Sequence, residues 1–438
     1  MKSILKAFSA VALSGAMVLP ALAQTATTTT PTPKDQKDLK KVIEDQGINY
    51  VETAQKGITL SGYVDTSYTM QFAGAGQPFG QGAAGPASGS GVANTTANLH
   101  QFDTNANGFN LNAVKLALEK ALPNKNEWAA GFRVDVMAGA DAKSLGASDP
   151  TLGDGTSGFY VEQALVKFRI PVGNGLDIYA GKFVTFLGYE VIESPANLNF
   201  SRGLLFTNAI PLTNTGVYAD YKFNDTVEAK LGIVDGWNNS SSVQSSNPNA
   251  SYAFGGKAIT GQVTVNAPGK NANITTSFIY SPDSAEPQGG SAGSANSTTV
   301  VGDIWGNWNP LFVKDSALLL GFNGDFGYNG AAGFPGAGEA STTWYGIALY
   351  AQYKFTKVFS LGGRLEWLGE SAAAPNDPFG QKFAGTGGST NDYSATLTAT
   401  FNIWDNLLTR AEYRHDFLEG VGIPSNQNEI SLEAVYSF

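Results

Sequence analysis

Cysteine is absent from the 438-residue sequence, and histidine occurs only twice. Without cysteine the chain has no disulfide framework and no thiol for a lipid anchor. A catalytic triad built on histidine, or a metal cluster of histidine and cysteine, has almost no material here. His100 lies in a polar stretch and His415 on the outward face of a predicted strand, so neither is expected to do chemistry. We therefore predict no enzymatic activity, no catalytic residue, no metal site and no cofactor.

Charged residues are also scarce, at 15% of the chain, against roughly 25% in ordinary soluble domains. Beyond its first residues the sequence has no run near the roughly 18 consecutive apolar residues of a membrane helix. Glycine, with 52 residues, and aromatic residues, at 11%, are abundant instead. A net charge of -10 argues against nucleic acid as a partner. This composition is typical of a membrane β-barrel, in which apolar residues occupy every second position.

Residues 1–56 are predicted to lie outside such a barrel. Residues 1–23 have a basic start, an apolar stretch and an Ala-x-Ala site before Gln24, which is the pattern of a secretory signal peptide. Residues 24–56 begin with a Thr/Pro-rich linker and continue with a charged stretch, 34–46, whose apolar residues have helical spacing. We expect a periplasmic linker with a short helix there. A coiled-coil contact and a plug are alternatives.

The last ten residues alternate strictly between two faces. Such period-2 alternation predicts a strand with one apolar and one polar side. An amphipathic final strand leaves an open edge unless it pairs with the first strand and closes a barrel. The edge strand of a soluble sandwich is the alternative. The apolar face carries Ile430, Leu432, Ala434, Tyr436 and Phe438.

The same alternation recurs along residues 57–438 and predicts about sixteen strands. Their connections alternate between tight turns, such as Gly173-Asn174-Gly175, and long loops rich in glycine, serine and asparagine. We therefore predict an all-β fold, a closed antiparallel transmembrane β-barrel with short periplasmic turns and long extracellular loops. A soluble sandwich has no reason to sort its loops by length. The predicted strands are 57–72, 109–122, about 128–136, 159–172, 176–188, 215–224, 226–237, 251–266, 272–281, 298–308, 316–328, 342–355, 358–369, 392–404, 407–418 and 429–438.

Charged residues within these strands indicate which face is wet. They too recur at every second position, and an arginine exposed to hydrocarbon at mid-depth costs roughly 2–4 kcal/mol. This face must therefore line an aqueous lumen, because side chains alone do not fill a barrel of this size. Pairing of the charges with one another, which would stiffen the wall, is the alternative role. The predicted lining residues are Arg133, Asp135, Asp220, Lys222, Arg364, Glu366, Arg410, Glu412, Arg414 and Asp416.

The connection at residues 189–214 differs from the other loops because it is rich in apolar residues rather than glycine. A segment of this composition must bury its side chains. We expect it to fold into the lumen and narrow it, so that Glu190, Glu193 and Arg202 face the passage. Packing over a neighbouring subunit is the alternative.

Two sets of short motifs resemble a known family. One comprises Gly181-Lys182-Phe183, Gly188, Glu190, Asn199, Ser201-Arg202, Phe206, Pro211 and Thr215-Gly216, and the other is Arg410-x-Glu412-Tyr413-Arg414-His415-Asp416. Together they are similar to the OmpL-like outer-membrane β-barrel porins, over residues 57–438. The resemblance implies an outer-membrane channel without catalytic residues. Lys182 of the first motif joins the predicted lining or constriction residues.

The sequence thus predicts a porin of the bacterial outer membrane. Small hydrophilic solutes or ions would diffuse passively through its charged, loop-constricted lumen. The alternative is a structural or adhesion barrel, or a scaffold for a periplasmic partner, with little or no channel activity. The expected partners are outer-membrane lipid and the permeating solutes. The chain could also assemble as a homotrimer, which is common among barrels of this size.

Overall fold

The computed structural model describes residues 57–73, 100, 102, 107–149, 157–240, 257–284, 297–330, 341–371, 390–419 and 425–438. Sixteen antiparallel strands form one closed sheet, in which each strand pairs with its neighbours along the chain. The predicted all-β barrel is therefore confirmed. The strands are β1 (Ile58–Ala73), β2 (Gly108–Lys120), β3 (Ala129–Ala138), β4 (Phe159–Ile170), β5 (Leu176–Val184), β6 (Thr213–Lys222), β7 (Val227–Val234), β8 (Ala258–Asn266), β9 (Ala272–Ser284), β10 (Ser297–Trp308), β11 (Leu318–Gly330), β12 (Ser341–Lys354), β13 (Phe359–Glu370), β14 (Thr390–Trp404), β15 (Leu407–Glu419) and β16 (Ser425–Ser437).

The barrel closes where the last strand meets the first. β16 runs antiparallel to β1, with Ser437 opposite Tyr63. Phe438 and Gly62 exchange two backbone hydrogen bonds, at 3.0 and 2.9 Å. Glycine is needed at position 62, because a Cβ there would collide with the Lys115 carbonyl oxygen and lie 2.8 Å from the Phe438 ring. Closure leaves the sheet without an open edge, as the last ten residues predict.

The two faces of the wall follow the predicted alternation. On β13, Arg364 and Glu366 are at most 5% exposed, whereas Leu365 between them is 60% exposed. On β16, Glu433 is 4% and Leu432 is 54% exposed. Apolar side chains therefore point outward to lipid and charged ones inward, because charge is costly in hydrocarbon. Exposed aromatic residues beside the tight turns supply an interfacial girdle: Phe223, Phe355, Trp404, Tyr436 and Phe438.

Short turns and long connections alternate along the chain, as predicted. Gly173 and Gly175, with φ of 61° and 97°, lie in the turn between β4 and β5. Asn406, with φ of 66°, lies in the turn between β14 and β15. Glycine and asparagine adopt this left-handed conformation more readily than other residues, so these turns are visible in the sequence.

The strand ends differ from the prediction by a few residues in most cases. β16 begins at Ser425 rather than at residue 429, and β5 differs by as much at its other end. It ends at Val184 rather than at residue 188. After Val184 the chain leaves the wall, and the Thr185 N–H donates to the Leu212 carbonyl at 3.0 Å just before β6 begins. β8 begins at Ala258, and residues 251–256 of its predicted span lie outside the described residues.

Two short helices interrupt connections that were expected to be irregular. Helix α1 (Ala140–Ser148) lies between β3 and β4, and helix α2 (Leu204–Asn208) lies between β5 and β6. In the part of the chain that the structure describes, no helix has the length and hydropathy to cross a membrane. The predicted signal peptide, 1–23, and the linker with its short helix, 24–56, lie outside the described residues.

Candidate functional site

Residues 185–212 connect β5 to β6 and cross the interior of the barrel; they are here termed the lumen segment. The segment contains a 3₁₀ turn, Ser194–Ala196, and helix α2. Its groups hydrogen bond to inward side chains on β2 and on every strand from β8 to β16. The segment therefore packs inside the barrel of its own chain. Its apolar side chains, which are at most 7% exposed, are Phe186, Leu187, Ile192, Leu198, Phe200, Leu204, Leu205, Phe206, Ile210 and Leu212.

Arg364 on β13 joins the wall to this segment. Its guanidinium donates to the Glu190 carboxylate at 2.6 Å and to the Ser201 carbonyl at 2.6 Å. Its Nε also lies 2.8 Å from a Glu366 oxygen on the same strand. Arg364 is 1% exposed, so its charge is balanced by two carboxylates rather than by water. Such a group is costly to bury alone and stable only when fully partnered.

β15 provides a second set of anchors. Arg410 and Arg414 donate to backbone carbonyls of the lumen segment at 2.5 and 2.8 Å. Glu412 accepts the backbone N–H of Phe200 at 2.6 Å. Asp416 lies 3.0 Å from the Arg414 guanidinium and balances its charge. Because these bonds reach the backbone, they fix the path of the segment rather than one side chain.

Lys115 on β2 forms the centre of a buried cluster. Its ammonium lies 2.9 Å from Glu162 and 3.1 Å from Asp135, and it also contacts Glu193 of the lumen segment. The ligand atoms of the three carboxylates lie within 4.8 Å of one another, an arrangement that could hold a metal ion. Here the ammonium supplies the positive charge that a metal would bring. The cluster thus attaches the lumen segment to β2, β3 and β4.

Two further ion pairs bring the β3–β4 connection into the interior. Arg202 of the lumen segment lies 2.6 Å from Asp141 of α1, and its guanidinium stacks 4.7 Å from the centre of the Phe102 ring. Lys182 on β5 lies 2.6 Å from Asp149, the residue that follows α1. In the first of these contacts Arg202, a predicted constriction residue, holds α1 against the lumen segment.

The pKa values of groups outside the strands favour these ion pairs. Burial opposes the charge of Glu193, but the attraction of Lys115 outweighs it and lowers the pKa of that carboxyl. Burial likewise opposes the charge of Arg202, yet Asp141 raises the pKa of its guanidinium. For Asp149, attraction and hydrogen bonding by Lys182 overcome burial and lower the pKa to about 2. All three groups are therefore charged at neutral pH.

The strands from β8 to β12 hold the lumen segment with neutral groups. Gln262 and Ser277 both donate to the Phe186 carbonyl, at 2.7 and 2.8 Å. The Tyr189 hydroxyl donates to Asn307 at 2.7 Å. These bonds are individually weaker than those of charged groups.

The predicted site residues differ in their surroundings. Arg364, Glu366, Arg410, Glu412, Arg414 and Asp416 bond to the lumen segment or to one another, as do Glu190, Glu193 and Arg202 within the segment. Arg133 adjoins Asp135 at 2.8 Å, and Lys182 pairs with Asp149. Asp220 is half-buried on β6, while Lys222 lies beside the next turn with its side chain 57% exposed. A role for any of them in permeation stays a prediction.

Sequence reasoning missed His100 as part of this interior. Its Nε2 lies 2.8 Å from Asp416, its Nδ1 lies 3.6 Å from Glu429, and its side chain is 1% exposed. The partners stand on β15 and β16, far along the chain, and no local pattern connects them to a histidine in a polar stretch. Lys115 was also missed, although Lys115, Ala117 and Glu119 occupy every second position of a predicted strand, as the predicted lining residues do.

A closed barrel of sixteen strands, apolar outside and crossed by an inward-folded segment, defines the class of outer-membrane porin barrels. A family model described as "Putative beta-barrel porin-2, OmpL-like" matches residues 57–438. The chain belongs to this family, and its location is the bacterial outer membrane. The resemblance inferred from the short motifs is thereby confirmed.

Solved structures with the same fold include an outer-membrane channel, an anion-selective porin and OprB, from three bacteria. DcaP of Acinetobacter baumannii has a TM-score of 0.54 at 12% identity, covering 87% of this chain and 97% of that chain. An anion-selective porin from Comamonas acidovorans has a TM-score of 0.54 at 13% identity, covering 87% and 99%. OprB of Pseudomonas putida has a TM-score of 0.51 at 14% identity, covering 90% and 97%. A search of curated proteins found no match. At these identities the likeness establishes the fold alone.

Proposed function

We propose that this barrel lets small hydrophilic solutes or ions diffuse passively across the outer membrane, through a passage that the lumen segment narrows. Membership of the porin family supports the general role. The observation that carries the finer proposal is the lumen segment itself, which is tied to the inner faces of ten strands. A narrow polar passage selects by size and by the charge of its lining.

In this proposal the protein is not an enzyme. Many buried acids and bases of the described residues are engaged in ion pairs, such as Arg364 with Glu190 and Lys115 with Glu193. A hydrolase would need a nucleophile, a base and an orienting group within hydrogen-bond reach of one another. The two histidines contact carboxylate or amide oxygens instead. Outer-membrane lipid surrounds the apolar outer wall, and a homotrimer stays a prediction.

Single-channel recording tests the proposal. The purified chain in a planar bilayer should give stable open steps, and liposomes containing it should swell with small sugars but not with larger ones. A matched variant replaces residues 188–209 by a short Gly/Ser linker. We expect the barrel to fold with this replacement, because the Thr185 N–H and the Leu212 carbonyl are already hydrogen bonded at 3.0 Å.

The variant separates the porin from the alternative of a scaffold or adhesion barrel. If the lumen segment narrows an open passage, the variant should conduct more than the wild type and admit larger sugars. A silent wild type beside a conducting variant would instead identify the segment as a plug. Equal conductance and equal size limits in the two proteins would contradict a constriction at this segment.

A further inference from the structure

The outer wall of the barrel has a groove beside the tight turns that join β8 to β9 and β10 to β11. Its volume is about 640 Å³. Three of its residues, Val265, Ile274 and Trp308, are at least 40% exposed, so the groove opens towards the membrane. Gly306 lets the Phe322 ring lie close to the wall, because a Cβ there would come within 2.9 Å of that ring. The lining residues are mainly apolar and include Val265, Ala267, Ala272, Ile274, Trp308 and Phe322.

The turn between β10 and β11 extends this apolar surface beyond the strands. Leu311 and Phe312 in that turn are 81% and 79% exposed, and the Phe312 ring lies 6.1 Å from the Trp308 ring. A large exposed apolar patch marks contact with a membrane or with another molecule. Aromatic residues such as Trp308 favour the boundary between hydrocarbon and water. The groove therefore reaches the interfacial layer of the membrane at its turn end.

Two exposed lysines, Lys270 and Lys314, lie in the turns at this end of the groove. Lys270 is two residues from Ala272 of the groove, and Lys314 is two residues from Phe312. Among the described residues neither ammonium forms an ion pair. Asp315, in the exposed turn beside Lys314, is the one carboxylate within the two turns. The turns therefore place a net positive charge at one end of an apolar groove.

Hydrogen bonds hold the two lysine-bearing turns together. The Asn309 N–H donates to the Asn271 carbonyl at 2.7 Å, and the Asn271 side-chain amide donates to the Asn309 carbonyl at 3.2 Å. Within the first turn, the Lys270 N–H donates to the carbonyl of Ala267, a groove residue, at 2.8 Å. Both turns are thus fixed relative to the groove, and the positive charge and the apolar surface are presented together.

We propose that this groove binds one phospholipid of the periplasmic leaflet, with an acyl chain along the groove and the phosphate beside Lys270 and Lys314. An apolar channel with positive charge at its interfacial end matches the head-to-tail polarity of a phospholipid. Basic residues at the membrane surface attract lipid phosphate, and the hydrophobic effect favours a chain over an empty groove. The proposal is independent of whether the lumen conducts.

Native mass spectrometry of the delipidated barrel tests the site. Phosphatidylglycerol and diacylglycerol with the same chains are titrated in separately, and one phosphatidylglycerol should bind each barrel more tightly than diacylglycerol does. Each ammonium at a membrane surface contributes about fivefold, so Lys270→Asn/Lys314→Gln should weaken phosphatidylglycerol binding about 25-fold and leave diacylglycerol unchanged. Asparagine tolerates the φ of 54° at position 270. Ala272→Phe fills the groove and should weaken the binding of both lipids.

Matched controls lie on other parts of the outer wall. Lys120→Gln/Lys125→Gln removes two exposed lysines from the end of β2 and the turn that follows it, and Ala399→Phe enlarges a half-exposed outward residue of β14. Both controls should bind phosphatidylglycerol as the wild type does.

Four results would overturn the proposal. They are a wild type that retains no phosphatidylglycerol, an Ala272→Phe variant of unchanged circular dichroism that binds it as before, and an equal loss in the two double lysine variants. The fourth is an Ala272→Phe variant that changes the number of chains per assembly instead of the bound lipid, since a second copy of the chain would then cover the groove.

Discussion

The inner wall of the barrel has two unlike halves. From β13 through β16 to β4 it carries buried arginines, lysines and carboxylates, here termed the charged wall. From β7 to β12 it carries mainly threonine, serine, asparagine and glutamine, here termed the neutral wall. Both halves hold the same lumen segment. The charged wall does so with ion pairs and charge-assisted bonds to the backbone, and the neutral wall with single amide and hydroxyl donors.

This contrast shows that the number of charges on a strand does not measure the charge of the passage. The arginines on β13 and β15 form ion pairs with carboxylates and hydrogen bonds to carbonyls of the lumen segment. On the neutral wall charges are few, and amide and hydroxyl groups hold the lumen segment there. We therefore expect substitutions in the charged wall to change stability more than substitutions in the neutral wall.

The largest effect on stability is expected from Arg364→Met. It leaves Glu190 and Glu366 buried without their cation, and loss of one partner from a buried ion pair typically costs about 3–5 kcal/mol. Urea unfolding of the barrel in lipid vesicles, followed by tryptophan fluorescence, measures the change. Single-channel currents should also become noisier as the lumen segment loosens.

The triple variant Arg364→Met/Glu190→Gln/Glu366→Gln is the control for that experiment. It removes the two orphaned charges as well, so it should regain a large part of the lost free energy of unfolding. If the triple variant is less stable than the single one, the loss comes from the Arg364 bond to the Ser201 carbonyl rather than from unpaired charge.

A smaller, pH-dependent effect is expected at Asp149. Its pKa falls from 3.8 to about 2 in the folded barrel, which corresponds to about 2 kcal/mol of stability. Because the folded pKa is the lower one, this contribution is complete above about pH 4 and is lost as the pH falls towards 2. The wild type should therefore exceed Asp149→Asn in stability at pH 5, with the difference shrinking on acidification. Asp315→Asn, in an exposed turn, is the control. If the stability difference between the wild type and Asp149→Asn is the same at pH 5 and at pH 2, the effect of Asp149 does not come from its ionisation.

The barrel could be predicted because its signals are local. Period-2 alternation assigns each strand residue to one face, and residues such as Gly173 and Asn406 mark the turns. The partners of the charges could not be predicted in the same way. Lys115 and Glu193 are 78 positions apart, and only the inward course of the lumen segment brings them together. An apolar composition indicates that such a segment is buried, but not which side chains it meets.

Irregularities in the strands hid other members of the site. The pairing of β3 with β4 shifts between Asp135 and Val136, so that Gln163 and Val161 are successive partners and Glu162 is the extra residue. Glu162 and Gln163 are consequently both buried, which breaks the alternation that sequence reasoning relies on. A bulge of this kind depends on the register between strands and leaves no mark in one strand alone.

The smallest effects are expected on the neutral wall. Ser277→Ala removes one of two donors to the Phe186 carbonyl and should cost about 1 kcal/mol. Gln262→Leu removes the other donor and also the oxygen that accepts from the buried Lys230 ammonium at 3.2 Å, so it should cost more. The double variant should cost more than the sum, because the carbonyl then loses both donors. Thr264→Val on β8 is the control, since Thr264 bonds Thr275 rather than the lumen segment. A double variant that is merely additive would mean that water replaces the lost donors, and the neutral wall would then be the hydrated side of the passage.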